Sequence, residues 1–480
     1  MSKPKLQIIV LFQNLGDSQT YFARSPAPPL SGLLVAGLTP PIVEVEVLHE
    51  MVRPIDYDTD ADFIALSFLD YCSPHAYEVA ARFRKLGKKV VAGGKYASTF
   101  PQEVSRHFDA TVVGEAEQVW PTVVNDLVTG KLERVYEAPF SPSIENIPPP
   151  RYDLAESEFE IPVVTEATRG CPFRCTYCAL NIRPAKYRVR PIRDVIRDLT
   201  STQDLPFQKR KMAMIYDNNL GGDRKYAKAL LREVAKLKLW GVGMQFTFDC
   251  LNDDEFVDLL FKANCRMAFI GMESLNEPSL RSVEKRHNKV EEYKKQFEKL
   301  RKRGILIFTG LMFALDEDTR AYYETLPQRL DDVDPSAILS SISIPIPGTP
   351  FHKEVESEGR IFDHDLSHYE GDHLVFSPRH VTARDVFHAF KRVNEYFYSW
   401  KNILKRWLRF LRAQSSHGSI PQRIFRSIVT SFIYWKLSIF QRHHAIVKVY
   451  PFMEAEMKKT AEAEESDSLV QISLPELVVR

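Results

Sequence analysis

Three thiols within eight residues carry the strongest chemical signal in this chain: Arg169-Gly-Cys171-Pro-Phe-Arg-Cys175-Thr-Tyr-Cys178. Cysteine thiolates are the usual ligands of iron–sulfur clusters. Three of them on a tight loop leave one iron of a four-iron cubane without a protein ligand, and an open coordination position marks a catalytic metal. No fourth cysteine stands nearby, because Cys72, Cys250 and Cys265 are single and sit in or beside apolar patterns. The open iron is then free to chelate the amino and carboxylate groups of a small molecule. The competing readings are a structural zinc, which normally closes with four ligands in two pairs, and three unrelated thiols.

The elements that must hold this loop are legible on both sides of it. The first 135 residues alternate apolar runs, LQIIVLF (6–12), VEVEVL (43–48), DFIALSF (62–68), KKVVAGG (88–94) and ATVVGE (110–115), with helical patterns. Such alternation predicts right-handed βαβ units and a flavodoxin-like parallel sheet that binds ligands at its strand C-termini. Residues 1–137 form this part, and the Pro-rich stretch 138–160 reads as a linker. A second series over 161–345 (IPVVTEAT, KMAMIYD, VGMQFTF, CRMAFIGME, ILIFTGLMF, AILSSISI) predicts a partial (β/α)6 barrel with its chemistry at the strand C-terminal ends. The cysteines begin where the first barrel strand ends. Residues 346–480 differ in kind: a Pro-Gly turn, a polar segment with His364, His368 and His373, a basic helical region and an acidic tail.

Composition excludes several classes. The chain has 480 residues, 44% hydrophobic and 26% charged, as in ordinary globular proteins. A net charge of +1 provides no field to steer it to nucleic acid. Six cysteines with three clustered indicate a metal site in a reducing, cytoplasmic setting. The N-terminus reads as a first strand, not a signal peptide, and no uncharged apolar run is long enough to span a bilayer.

The CxxxCxxC spacing with an aromatic before the last cysteine, together with the six-repeat barrel, resembles the radical S-adenosylmethionine superfamily. That resemblance implies a [4Fe–4S] cluster on Cys171, Cys175 and Cys178. It further implies one-electron cleavage of S-adenosylmethionine to a 5′-deoxyadenosyl radical, fed by an external reductant such as flavodoxin or ferredoxin. It places Tyr177 against the adenine, and likens Glu273 of Ile270-Gly-Met-Glu-Ser274 to the carboxylate that meets the ribose or ammonium. A strand-end carboxylate equally suits a pair with a neighbouring Arg. Asp217-Asn218-Asn219 looks like the superfamily's acidic strand-end motif and is also ordinary turn chemistry.

The N-terminal part resembles the cobalamin-binding domain of the cobalamin-dependent radical methyltransferases, through PPLSGLLVAGL (28–38), Gly93-Gly94 before Lys95-Tyr96, and Val113-Gly114-Glu115-Ala-Glu117. The Asp-x-His-x-x-Gly ligand motif is absent, so the resemblance implies cobalamin held without a protein ligand. Paired glycine that merely turns the chain is the competing reading. The implied reaction is methylation of an unactivated carbon in a secondary metabolite or lipid. A cobalamin-independent radical cyclisation, coupling or rearrangement, and a non-catalytic iron–sulfur protein, stand as alternatives.

Between Lys401 and Tyr450 lie ten Lys or Arg and no Asp or Glu. Ile403, Leu404, Trp407, Leu408 and Leu411 share one helical face, beside a stripe of Lys401, Lys405, Arg409 and Arg412. A second pattern puts Phe425, Ile428, Val429, Phe432, Trp435 and Ile439 opposite Arg423, Ser427, Thr430 and Ser438. This predicts either a peripheral helix at the inner membrane surface or two helices packed on the barrel with a solvated basic rim.

Overall fold

The structure is a computed structural model that describes residues 3–12, 27–183, 185–414 and 420–443. The acidic tail and the segment 444–450 lie outside the described residues.

Two parallel sheets organise the chain. The first contains β1 (Lys5–Val10), β2 (Glu44–His49), β3 (Phe63–Ser67), β4 (Lys89–Gly93), β5 (Ala110–Val113) and β6 (Val135–Glu137), in the order β2-β1-β3-β4-β5-β6. The second contains β7 (Val164–Thr165), β10 (Met212–Ile215), β11 (Gly241–Gln245), β12 (Cys265–Glu273), β13 (Leu306–Phe313) and β14 (Ala337–Ile342). Its order, β14-β13-β12-β11-β10-β7, is sequential, and every pairing is parallel. This is the α/β architecture the periodicity implies, a flavodoxin-like sheet followed by a six-stranded partial barrel. A short antiparallel ribbon, β8 (Thr168–Arg169) with β9 (Arg188–Val189), brackets the cysteine segment. The β6 strand extends the first sheet beyond the five runs visible in sequence.

Why these segments are strands is plain from burial. The β3, β4 and β5 runs are Val-, Ile- and Ala-rich and covered on both faces, as parallel strands must be. The linker is pinned as well: Ile144 and Ile147 pack on Leu34, and Arg151 N donates to Leu33 O. The C-terminal region is mainly helical, with Pro350–Ser357, Ala383–Phe397, Trp400–Ala413 and Ile420–Arg442. The last two helices bury only part of the apolar faces drawn from their periodicity: Ile403 is buried, and Trp407 and Trp435 pack against the core. Leu404, Leu408, Phe425, Ile428, Phe432 and Ile439 are exposed, and Arg406, Arg426, Thr430 and Ser438 are buried.

Candidate active site

The cysteine segment leaves the barrel at β8 and is held from several sides. Gly170 turns it with φ +89°, a conformation that favours glycine. Thr176 N donates to Val283 O and Phe351 N to Thr176 O, both at 3.1 Å, so neighbouring loops grip the segment on either side. Asn181 Nδ2 donates to Cys175 O at 2.7 Å, and Phe173 stacks on His287 with centroids 3.7 Å apart. Cys175 is buried, Cys171 and Cys178 half-buried. Burial pushes the Cys175 thiol up to about 11, against the pull of the Lys285 ammonium. A bound cation reverses that shift and holds the sulfur as thiolate.

The donor set suits a cluster better than a single ion. Among the described residues no group of three or more His, Cys, Asp or Glu converges on one metal position. A structural zinc needs that convergence. A cubane does not, since each thiolate takes a different iron. Cys72, Cys250 and Cys265 are all buried.

Beside the cysteines lies a charged group that sequence reasoning found only by half. Glu273 ends β12 with φ +64° at a register shift against β13, which swings its carboxylate toward Gly271 and Gly310. A Cβ at Gly310 would stand 2.8 Å from Glu273 Oε2, so these glycines make the room. The partner is not an arginine: Lys285 Nζ sits 3.2 Å from Glu273 Oε1 and donates to the Tyr177 hydroxyl at 3.2 Å. Burial alone would lower the Lys285 pKa, but Glu273 and Cys175 hold it above its usual range. Burial also keeps the Tyr177 phenol well above its usual range. Lys285 and His287 gave no periodic signal in the sequence. They sit in a polar loop after a short helix and reach the site only through the fold.

At the end of β10 the acidic run divides its work. Asp217 is 1% exposed and accepts from Ala167 N at 2.7 Å and Thr168 N at 2.9 Å, so it holds the strand that delivers the cysteines. Asn219, its neighbour but one, donates through Nδ2 to Cys171 Sγ at 3.8 Å, while its Oδ1 accepts from Gly221 N. Asn218 lines the adjoining cavity.

That cavity, about 380 Å³, has the first sheet's C-terminal edge on one wall (Gly94, Lys95, Gly114, Glu115) and the cysteine loop on the other (Cys171, Arg174). A second cavity of about 400 Å³ adjoins it, sharing Ser98, Thr99 and Arg183. The two glycines of the 93–94 pair differ. Gly94 has φ +103° and backs onto Phe68, whose carbonyl would lie 2.6 Å from a Cβ. Gly93 lies outside the cavity lining and has room for a side chain, with nothing nearer than 4.0 Å. Gly114 also has φ +90°. Glu115 accepts from Arg169 Nη1 at 2.8 Å and Arg188 Nη1 at 2.9 Å. Burial opposes its ionisation, yet Arg188 and Arg169 hold its carboxyl below the usual range. Arg169 also binds Glu117 and Glu166, so this network fastens the first sheet to the barrel.

The same edge suits a flat, largely apolar ligand with polar fringes. Leu69, 48% exposed, follows β3, and Phe140, 60% exposed, lines the cavity. Asp70 Oδ1 is buried without a partner among the described residues. His368 and His373 stack on each other and pair with Asp363 and Glu370.

Comparison with known proteins places this geometry. Residues 165–328 match the radical SAM superfamily. Over 452 residues the chain is 29% identical to bacteriochlorophyllide d C-8(2)-methyltransferase of Chlorobaculum tepidum, spanning 88% of this chain and 95% of that protein. It is 23% identical over 434 residues to hopanoid C-2 methylase of Rhodopseudomonas palustris, with 86% and 80% covered. Among solved structures, the cobalamin-dependent S-adenosylmethionine radical enzyme OxsB superposes with a TM-score of 0.59 at 13% identity, over 99% of this chain and 82% of that one. TsrM from Kitasatospora setae, a radical S-adenosylmethionine methyltransferase, does so with a TM-score of 0.55 at 18% identity over 75% of each. These two likenesses speak for the fold.

Proposed function

Starting from a chain that is a radical SAM enzyme, we propose that it methylates an unactivated carbon of an apolar metabolite or lipid, with cobalamin between its first sheet and its barrel. The observation that carries this reading is the cavity shared by the cysteine loop and the sheet edge at Gly94 and Gly114. A cofactor on the sheet edge and one on the cysteines would face each other across it.

When bound, the cluster supplies an electron to S-adenosylmethionine, and cobalamin supplies a methyl carrier. The chain's own residues do the rest. Cys171, Cys175 and Cys178 hold the cluster. Lys285 and Glu273 present opposite charges beside Cys175, suited to the carboxylate and to the ammonium or ribose hydroxyls of S-adenosylmethionine. Tyr177 closes that wall against water, with its ring against Met312 and Leu315. Asn219 donates to the Cys171 sulfur and stabilises its charged form. Gly94 and Gly114 keep the sheet edge flat for a macrocycle, within a domain formed by residues 1–137. Asp217 and Glu115 act through the backbone and the arginines they hold.

Two partners complete the proposal. An external one-electron reductant such as flavodoxin or ferredoxin feeds the cluster, and residues 401–450 make a peripheral contact with the inner membrane surface. Among the described residues no helix is long and apolar enough to cross a membrane.

The test is anaerobic reconstitution with iron, sulfide and cobalamin. Spectra carrying both cluster and corrinoid bands are expected, and reduction should yield 5′-deoxyadenosine and S-adenosylhomocysteine when a methyl-accepting substrate is present. Cleavage of S-adenosylmethionine by protein that retains no corrinoid would overturn the cobalamin part.

A further inference from the structure

The helix Ile420–Arg442 is turned inside out. Its buried residues are Arg426, Thr430, Tyr434, Ser438 and Gln441, a polar stripe. The opposite arc carries Ile420, Ile424, Ile428 and Phe432, spaced four apart and 56–69% exposed. The preceding helix, Trp400–Ala413, adds to this face only in part, since it buries Ile403 and Phe410. Leu404 and Leu408 are exposed, while Arg406 is 3% exposed and donates to Phe397 O at 2.6 Å. The two helices are tied by Tyr434 Oη donating to Ile403 O and by the Trp407–Trp435 contact, so their outward apolar residues are held on one rigid pair.

The position of this face is defined by what lies beneath it. Phe425 meets Trp240, just before β11. Arg426 lies beside Gly304, just before β13, and Lys436 pairs with Glu160, ahead of β7. These are the N-terminal ends of the barrel strands. The cysteine loop follows the opposite ends.

Charge selects the occupant. Lys401, Arg412 and Arg423 are exposed around the apolar residues, and residues 401–450 contain no carboxylate. A second copy of the chain would bring like charges together. A leaflet with anionic headgroups offers apolar depth and negative charge at once.

We propose that this face seats the enzyme on an anionic lipid surface by the closed end of the barrel, with the cluster-bearing mouth turned away from the lipid. This rests on the peripheral contact proposed above and names its face and orientation. An apolar substrate then enters from the aqueous side and does not slide in from the leaflet beneath.

The experiment uses the full chain with its cluster, and vesicles of phosphatidylcholine with or without phosphatidylglycerol. Binding should require phosphatidylglycerol. The combined change Lys401→Gln, Arg412→Gln, Arg423→Gln should weaken it roughly a hundredfold. Ile424→Ser, Ile428→Ser and Phe432→Ser together should abolish it, and both variants should cleave S-adenosylmethionine as the parent does. With Trp400, Trp407 and Trp435 first changed to Phe, brominated lipid should quench a tryptophan introduced by Phe432→Trp and not one introduced by Phe140→Trp at the mouth. The proposal falls if neither vesicle is bound, if the serine variant still binds, if the mouth reporter is the one quenched, or if the face proves to join two copies in solution. S-adenosylmethionine cleavage is read separately, so failure here leaves the catalytic reading standing.

Discussion

Lys285 Nζ stands 3.2 Å from Glu273 Oε1 with both side chains largely withdrawn from solvent, 7% and 15% exposed. Removing one partner of such a pair strands a charge, at a cost of about 3 kcal/mol or more. Lys285→Met should therefore lower unfolding stability by about that much and stop S-adenosylmethionine cleavage. Adding Glu273→Gln should recover much of the stability and none of the cleavage. Denaturant unfolding and 5′-deoxyadenosine yield measure the two separately, and recovery of cleavage in the double variant would rule out a ligand-binding role.

The cysteines divide cleanly. Alanine at Cys171, Cys175 or Cys178 should remove the cluster's visible absorbance and all cleavage. Alanine at Cys72, Cys250 or Cys265, each buried, should preserve both. Iron content and spectrum of the reconstituted variants check this, and an active Cys175→Ala protein would refute the cluster assignment.

The two adjacent glycines should respond differently. Gly93→Ala meets no steric contact and should fold and retain corrinoid as the parent does. Gly94→Ala puts a Cβ 2.6 Å from Phe68 O at φ +103°, strain of about 1–3 kcal/mol. It should lower the unfolding midpoint and loosen corrinoid. Equal behaviour of the two variants would show that the turn does not depend on Gly94.

Asp217 should write a slope into the pH profile of stability. Burial raises its pKa to about 7, against the Ala167 and Thr168 N–H groups that favour the carboxylate. The unfolded value is near 4. Between roughly pH 4 and pH 7 the native state therefore binds more protons than the unfolded chain. Stability falls across that window as pH rises, by about 1 kcal/mol per unit, and levels off above it. Asp217→Asn should remove this contribution, while Asp318, raised likewise to about 7 by burial, keeps a similar slope of its own. Chemical unfolding at several pH values gives the difference, and unchanged profiles would contradict the assignment.

How much could be read beforehand follows from the range of each interaction. The cysteine triplet is local chemistry, and its spacing, with the resemblance it carries, points to a cluster loop. Alternating strands and helices are likewise local, so the two parallel sheets were legible, while the strand order of each came only with the structure. The Asp217-Asn218-Asn219 run was visible, but the division of labour was not. Asp217 reaches back 50 residues to Ala167, and Asn219 reaches 48 to Cys171. Lys285 is 108 residues from Tyr177, and no periodicity links them.

The terminal helices make the distinction sharpest. Their periodicity established by itself that each has an apolar and a polar arc. Which arc faces inward depends on the groups that await it. Here the fold presents the Phe397 carbonyl to Arg406, and the Phe261 ring to Arg426 beside Gly304. Buried cations are tolerated only where such partners exist, and the fold supplies them from residues distant in sequence. The tertiary structure therefore drew the polar arc of Ile420–Arg442 in and left its apolar one out, an orientation that no reading of that helix alone decides.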